Sequence, residues 1–173
     1  FRYKSFTQYD SSICQYHERR SEICGRCAEV CPTVTILKED ETKHLVFSAI
    51  DCTNCGNCIS VCPSGSLDST LMPQSSFATI AKLYKDKIAL IVSEEINLEE
   101  LNVSLPQNVL PFVILAPHLL SQTHFLTLLQ ESGASVILYS KSLGKGEKDA
   151  ISILNQIYEL KFKAVSYTHL TLP

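Results

Sequence analysis

The sequence predicts an α+β protein: a cysteine-rich half of short strands and turns, followed by a small, incomplete α/β half with a parallel sheet. Three observations carry that expectation. All eight cysteines fall between positions 14 and 62. Two short apolar stretches flank a polar turn between the cysteine groups. Beyond Met72-Pro73 there is no cysteine, and apolar, β-branched runs alternate with helical patterns. The expected units are residues 1–72, a linker helix over 73–86, an α/β unit over 87–164, and a tail over 165–173 treated separately.

The most specific string is Cys52-x2-Cys55-x2-Cys58-x3-Cys62 followed by Pro63. Three thiolates at this spacing wrap one face of an iron–sulfur cube, while the fourth points to a neighbouring cluster. Cys24-x2-Cys27-x3-Cys31-Pro32 repeats the last three positions of that run, but Ser21 stands where the first cysteine belongs. Cys14, seven residues upstream, is the natural substitute. The longer loop adds well under about 1 kcal/mol of closure entropy. The expected ligands are Cys14, Cys24, Cys27 and Cys62 for cluster I, and Cys52, Cys55, Cys58 and Cys31 for cluster II. In the other reading Cys14 is a spare thiol beside an open iron corner or a [3Fe–4S] cluster.

Zinc and disulfides fit the spacing less well. Zinc sites normally use two cysteine pairs a dozen or more residues apart, and four cysteines within eleven residues are too crowded for one tetrahedron. A disulfide framework belongs to small secreted domains, whereas this chain has 173 residues, 45% of them hydrophobic.

Around the cysteines, Thr35–Phe47 reads as a β-hairpin turning at an acidic, polar segment. Phe1–Phe6 and Ser66–Asp68 are candidates for a second strand pair. Gly25 and Gly56 admit backbone N–H groups close to sulfur, or serve ordinary turns. Pro32 and Pro63 turn the chain away from the last ligand of each group. On these motifs, residues 10–70 resemble a two-cluster bacterial-type ferredoxin, departing from it in the displaced first ligand. The resemblance implies one-electron transfer with two [4Fe–4S] clusters and no bound substrate.

In the second half, Pro73–Tyr84 has the caps and apolar spacing of a short helix ended by Lys85-Asp86-Lys87. Ile88–Val92, Phe112–Leu115 and Val136–Tyr139 read as buried strands. Between the last two, a proline near the start and Gly133 at the end punctuate a helix over Pro117–Ser132. A further helix begins near Gly146 with Ala150, Ile151, Leu154, Ile157 and Tyr158 on one face. Gly144-Lys145-Gly146 lacks the spacing of a phosphate loop and reads as a plain turn. His118 and His124 are ill spaced for a shared helical metal site, His17 is read as loop surface, and Glu94, Glu95, Glu99 and Glu100 as a solvated acidic face. Val165–Pro173 looks like translated sequencing-adapter DNA and is left out of the fold expectation. Phe1 is not an initiator, so an internal piece of a larger protein is expected.

A net charge of −3 leaves no basic footprint for nucleic acid. No apolar run reaches membrane-spanning length, and no signal peptide is seen. Thiolate chemistry favours the cytoplasm. Two functions follow: an electron carrier serving redox partner proteins, or an iron–sulfur subunit of a larger oxidoreductase complex of hydrogenase or formate dehydrogenase type with its active site elsewhere. The first makes the chain a carrier rather than a catalyst.

Overall fold

The computed structural model describes residues 5–18, 23–98, 104–158 and 165–169. In the cysteine-rich half, β1 (Thr7–Tyr9) and the later β4 (Leu67–Ser69) pair antiparallel, Tyr9 facing Leu67. The expected pairing is present, but the first strand starts beyond Phe6 rather than within residues 1–6. Phe6 is instead a buried plug, its carbonyl accepting the Thr70 N–H. Residues 1–4 lie outside the described residues. Between these strands come the one-turn helix α1 (Arg26–Glu29), the antiparallel hairpin β2 (Ile36–Glu39) and β3 (His44–Phe47), and the one-turn helix α2 (Asn57–Ser60). Helices of one turn do not persist alone, because nucleation costs more than one turn of hydrogen bonds returns. They depend on what they pack against.

The second half opens with α3 (Gln74–Ala81). Its first N–H is capped by Asp68, whose two carboxylate oxygens accept from Gln74 at 3.2 and 3.1 Å, so the cap comes from β4 rather than from the serines. The parallel sheet follows as β5 (Ile88–Ser93), β6 (Val109–Ile114) and β7 (Val136–Ser140), with β5 in the middle. β5 is buried along nearly its whole length, as expected of a strand covered on both faces. β6 departs from the expectation: it is an edge strand, starts three residues earlier, and exposes Leu110 and Val113. Its Pro111 belongs at such an edge, where a missing N–H breaks no ladder.

The helix read from Pro117 begins later, as α4 (Gln122–Ser132). Ser121 caps it and the His124 side chain reaches back in a capping box, while Gly133 closes it at φ 64°. The final helix, α5 (Lys145–Tyr158), buries Ala150 and Leu154, but Ile157 stays exposed and Glu147 is fully buried. Both outcomes run against the apolar pattern. β8 (Val165–His169), in the segment left out of the fold expectation, lies parallel beside β7 and extends the sheet.

The two halves meet in one continuous core running from Phe6 and Leu45 to Leu138 and Leu154. Helix α3, read as a linker, buries Phe77 against Phe112 and His124 and packs on α4. At the seam Gly146 abuts Ser60 of α2, where an added Cβ would lie 2.4 Å from Ser60 Oγ and 2.6 Å from its carbonyl carbon. The Cys55 carbonyl accepts the His118 N–H at 2.9 Å.

His124 gives this core a pH dependence. Burial pushes its imidazole from 6.5 down to about 4, with Asp68 pulling weakly the other way. The unfolded chain therefore takes up a proton in that interval which the fold refuses. Stability held in full above pH 6.5 falls by about 3 kcal/mol as the pH drops to about 4. In denaturant titrations at pH 7, 5 and 4, His124→Gln should lose less stability toward acid than the parent chain. Parallel pH profiles for the two proteins would count against this assignment.

Candidate metal centre

Each cysteine group is delivered by the same local device. Cys24 precedes α1, Cys27 lies within it and Cys31 follows, while Cys55, Cys58 and Cys62 stand in the same relation to α2. Cys14 arrives separately, at the end of a 3-10 turn over Ser11–Ile13 whose start is fixed by Asp10 accepting from the Ser12 N–H and hydroxyl at 2.9 and 2.6 Å. It is buried. Ser21 lies outside the described residues.

The tertiary structure sorts these cysteines into two sets. Cys14, Cys24, Cys27 and Cys62 line one small cavity with Tyr16, Leu45 and Leu67. Cys31, Cys52, Cys55 and Cys58 line another with Phe6, Ile36 and Phe47. Each set thus contains one cysteine from the opposite motif. All eight are free thiols, none joined in a disulfide. Four soft sulfur donors around each of two apolar pockets suit iron–sulfur ligation, since thiolates select such clusters and the apolar wall limits water.

Within each set the thiols differ in acidity. Burial pushes Cys27 up to about 12, and neighbouring Cys58 adds to it; burial likewise lifts Cys58 to about 11. Cys31 and Cys62 go the other way. Burial raises the Cys31 thiol, but hydrogen bonds from Thr35 and Thr33 outweigh it and bring it down to about 7. Burial opposes the shift at Cys62 too, yet donors on Ser66, Leu67 and Ser64 carry it below its ordinary value. The Thr35 N–H and hydroxyl lie 3.3 and 3.2 Å from the Cys31 sulfur, and the Ser66 hydroxyl lies 3.4 Å from that of Cys62.

Those hydroxyls were missed in the sequence, although a signal was present. Cys31-Pro32-Thr33-Val34-Thr35 and Cys62-Pro63-Ser64-Gly65-Ser66 are the same string with a hydroxyl two and four residues after cysteine. The backbone repeats as well, Val34 and Gly65 both having positive φ. Gly56 also serves close packing at the seam. It sits at φ 84° against the backbone of His118 and Leu119, and the Cys55 sulfur faces the Asn57 amide at 3.6 Å. Packing at the seam decides that position.

The remaining candidates are placed as follows. Gly144-Lys145-Gly146 is neither phosphate loop nor free turn: a Cβ on Gly144 would lie 2.4 Å from Asn57 Oδ1, so both glycines serve close approach of the halves. His118 and His124 share no site. His118 Nδ1 lies 3.2 Å from buried Glu147 Oε2, which also accepts the Gly144 N–H at 2.9 Å. His124 Nδ1 accepts from the Ser121 N–H. Half-buried His17 is not simply loop surface, for its ring stacks on His44. Glu94 and Glu95 are exposed, while Glu99 and Glu100 lie outside the described residues. Among the described residues, no helix is long and apolar enough to cross a membrane.

Fold and donor set together define an iron–sulfur protein of mixed α and β structure. A family model described as a 4Fe-4S dicluster domain matches residues 22–66, the stretch holding seven of the eight cysteines and both small helices. That match supports [4Fe–4S] binding and an electron-transfer role. No curated protein and no solved structure matches the chain.

Proposed function

We propose that the chain carries two [4Fe–4S] clusters in a module of the two-cluster bacterial ferredoxin type and relays single electrons between redox partner proteins in the cytoplasm. Cys14, Cys24, Cys27 and Cys62 hold cluster I; Cys52, Cys55, Cys58 and Cys31 hold cluster II. The observation that carries this is the crosswise gathering of eight free thiols into two sets of four. When bound, such clusters supply reversible one-electron chemistry without making or breaking bonds to a substrate. The chain's own part is to hold them and tune them. Thr35 and Ser66 direct hydroxyls at one crosswise thiolate each, offsetting negative charge and favouring the reduced state. Phe6, Ile36 and Phe47 exclude water from one pocket, and Leu45 and Leu67 from the other.

Anaerobic reconstitution should give about eight irons per chain, four for each cube. In a redox titration read by electron paramagnetic resonance, the reduced protein should show two interacting signals. Cys14→Ser should perturb one of them. If both survive that replacement unchanged, the ligand set is wrong.

A role as a subunit of a larger oxidoreductase, of hydrogenase or formate dehydrogenase type, is favoured by one feature. The α/β half sits directly on the Cys55 loop through His118 and on α2 through Gly146, a platform firmly joined to the cysteine-rich half. Native purification with a cofactor-bearing partner would favour the subunit; isolation as a free chain that exchanges electrons would favour the carrier.

A further inference from the structure

We propose that His17, Glu18 and His44 form a separate site for a zinc-class divalent ion, held by two imidazoles and one carboxylate. The three ligand atoms lie within 4.8 Å of one another. Glu18 Oε1 stands 3.8 Å from His17 Nε2 and 3.7 Å from His44 Nε2. Those separations are too long for hydrogen bonds. They are close to what an ion would need, because zinc bonds of about 2.0–2.1 Å put the edges of a tetrahedron at about 3.4 Å. The two Glu18–histidine separations need close by only a few tenths of an ångström. A fourth position remains for water, the pattern of an open rather than a closed site.

The backbone holds this group together at a cost. Glu18 and Lys43 both adopt positive φ, 53° and 59°, which non-glycine residues avoid and which gathers at ligand sites. The Glu18 N–H donates to the Lys43 carbonyl at 3.1 Å, tying the loop after Cys14 to the turn of the β2–β3 hairpin. The Lys43 ammonium points to Asp40, 3.8 Å away, so its charge is partly offset by that carboxylate. The two imidazole rings stack 4.5 Å apart at 13°. Closing both rings on one ion requires turns about χ2, a soft torsion. His17 faces Glu18 with Nε2, while its Nδ1 is buried with no hydrogen-bond partner among the described residues.

Neutral imidazole and carboxylate suit zinc, which adds no competing redox couple. Bound there, the ion braces the segment just after Cys14 against the β2–β3 turn. The site shares no residue with the eight cysteines and stands apart from the cluster assignment.

The test uses the full chain, cluster-loaded and under argon, titrated with zinc chloride in a calorimeter and examined at the zinc absorption edge. One zinc per chain is expected, in a shell of nitrogen and oxygen with no sulfur at about 2.3 Å. His44→Gln and Glu18→Gln should each weaken binding by at least about 10-fold with iron content unchanged. Absence of binding, sulfur in the shell, or variants that bind like the parent would each overturn the site. Failure of the cluster reading shows separately, in the iron analysis made before zinc is added.

Discussion

Removing iron with a chelator under argon should unfold the cysteine-rich half and leave the parallel sheet standing. The cysteine-rich half contains strands of three or four residues and helices of one turn, lengths that do not hold themselves together. Its centre consists of eight thiols around two pockets, two of them held neutral by burial with thiol values of about 12 and 11. Without iron and sulfide, nothing bonds these sulfurs to one another. Structural metal sites contribute on the order of 10 kcal/mol, more than most domains have to spare. The other half has its own buried cluster in Ile91, Phe112, Phe125, Leu128 and Leu138. Hydrogen exchange should therefore show amides of Ile36, Leu45 and Leu67 losing protection on chelation, while those of Ile91 and Leu138 keep most of theirs. A colourless protein that retains a cooperative melt of the first half would contradict the expectation.

Gly56→Ala should be among the most damaging single methyl additions in the described residues. Two costs combine there. The residue sits at φ 84°, where an L side chain loses about 1–2 kcal/mol against its own backbone. The new Cβ would also lie 2.8 Å from the Cα and nitrogen of Leu119, backbone atoms that cannot swing aside as a side-chain tip can. Overpacking of this kind costs about 1–3 kcal/mol. The sum, about 2–5 kcal/mol, falls on the loop between Cys55 and Cys58, so the variant should melt earlier and take up less iron during reconstitution. Gly65→Ala is the control. Gly65 is also at positive φ but, among the described residues, has nothing within 4 Å of an added Cβ, so it carries the strain without the collision. Equal losses in the two variants would mean that backbone strain alone matters and that contact with Leu119 does not.

Much of this molecule can be read in its local sequence. Cys52 and Cys55 lie on the loop just before α2 and Cys58 within it, and three thiols inside seven residues can reach one small volume wherever the rest of the chain lies. The runs at Ile88–Val92 and Val136–Tyr139 are strands because a continuous β-branched stretch needs cover on both faces. The hairpin between the cysteine groups follows from two apolar stretches and a polar turn. Helix limits were less legible. Pro117 offered a start, but Ser121 with His124 provides a better cap four residues later.

Glu147 shows where local reading stops. Nothing in a helix written Lys-Gly-Glu-Lys-Asp indicates that its glutamate is fully buried beside His118, since burial of a charge depends on a partner brought from another strand's end. His17 and His44 are equally silent in sequence, and meet because Glu18 bonds to the turn that carries Lys43. By itself the sequence determined the chemical class, sulfur donors spaced for iron, because ligand spacing along a short stretch of chain is a covalent matter. Only the tertiary structure decided how tightly the two halves meet, because that outcome depends on backbone approach at Gly56, Gly144 and Gly146, tens of residues apart along the chain.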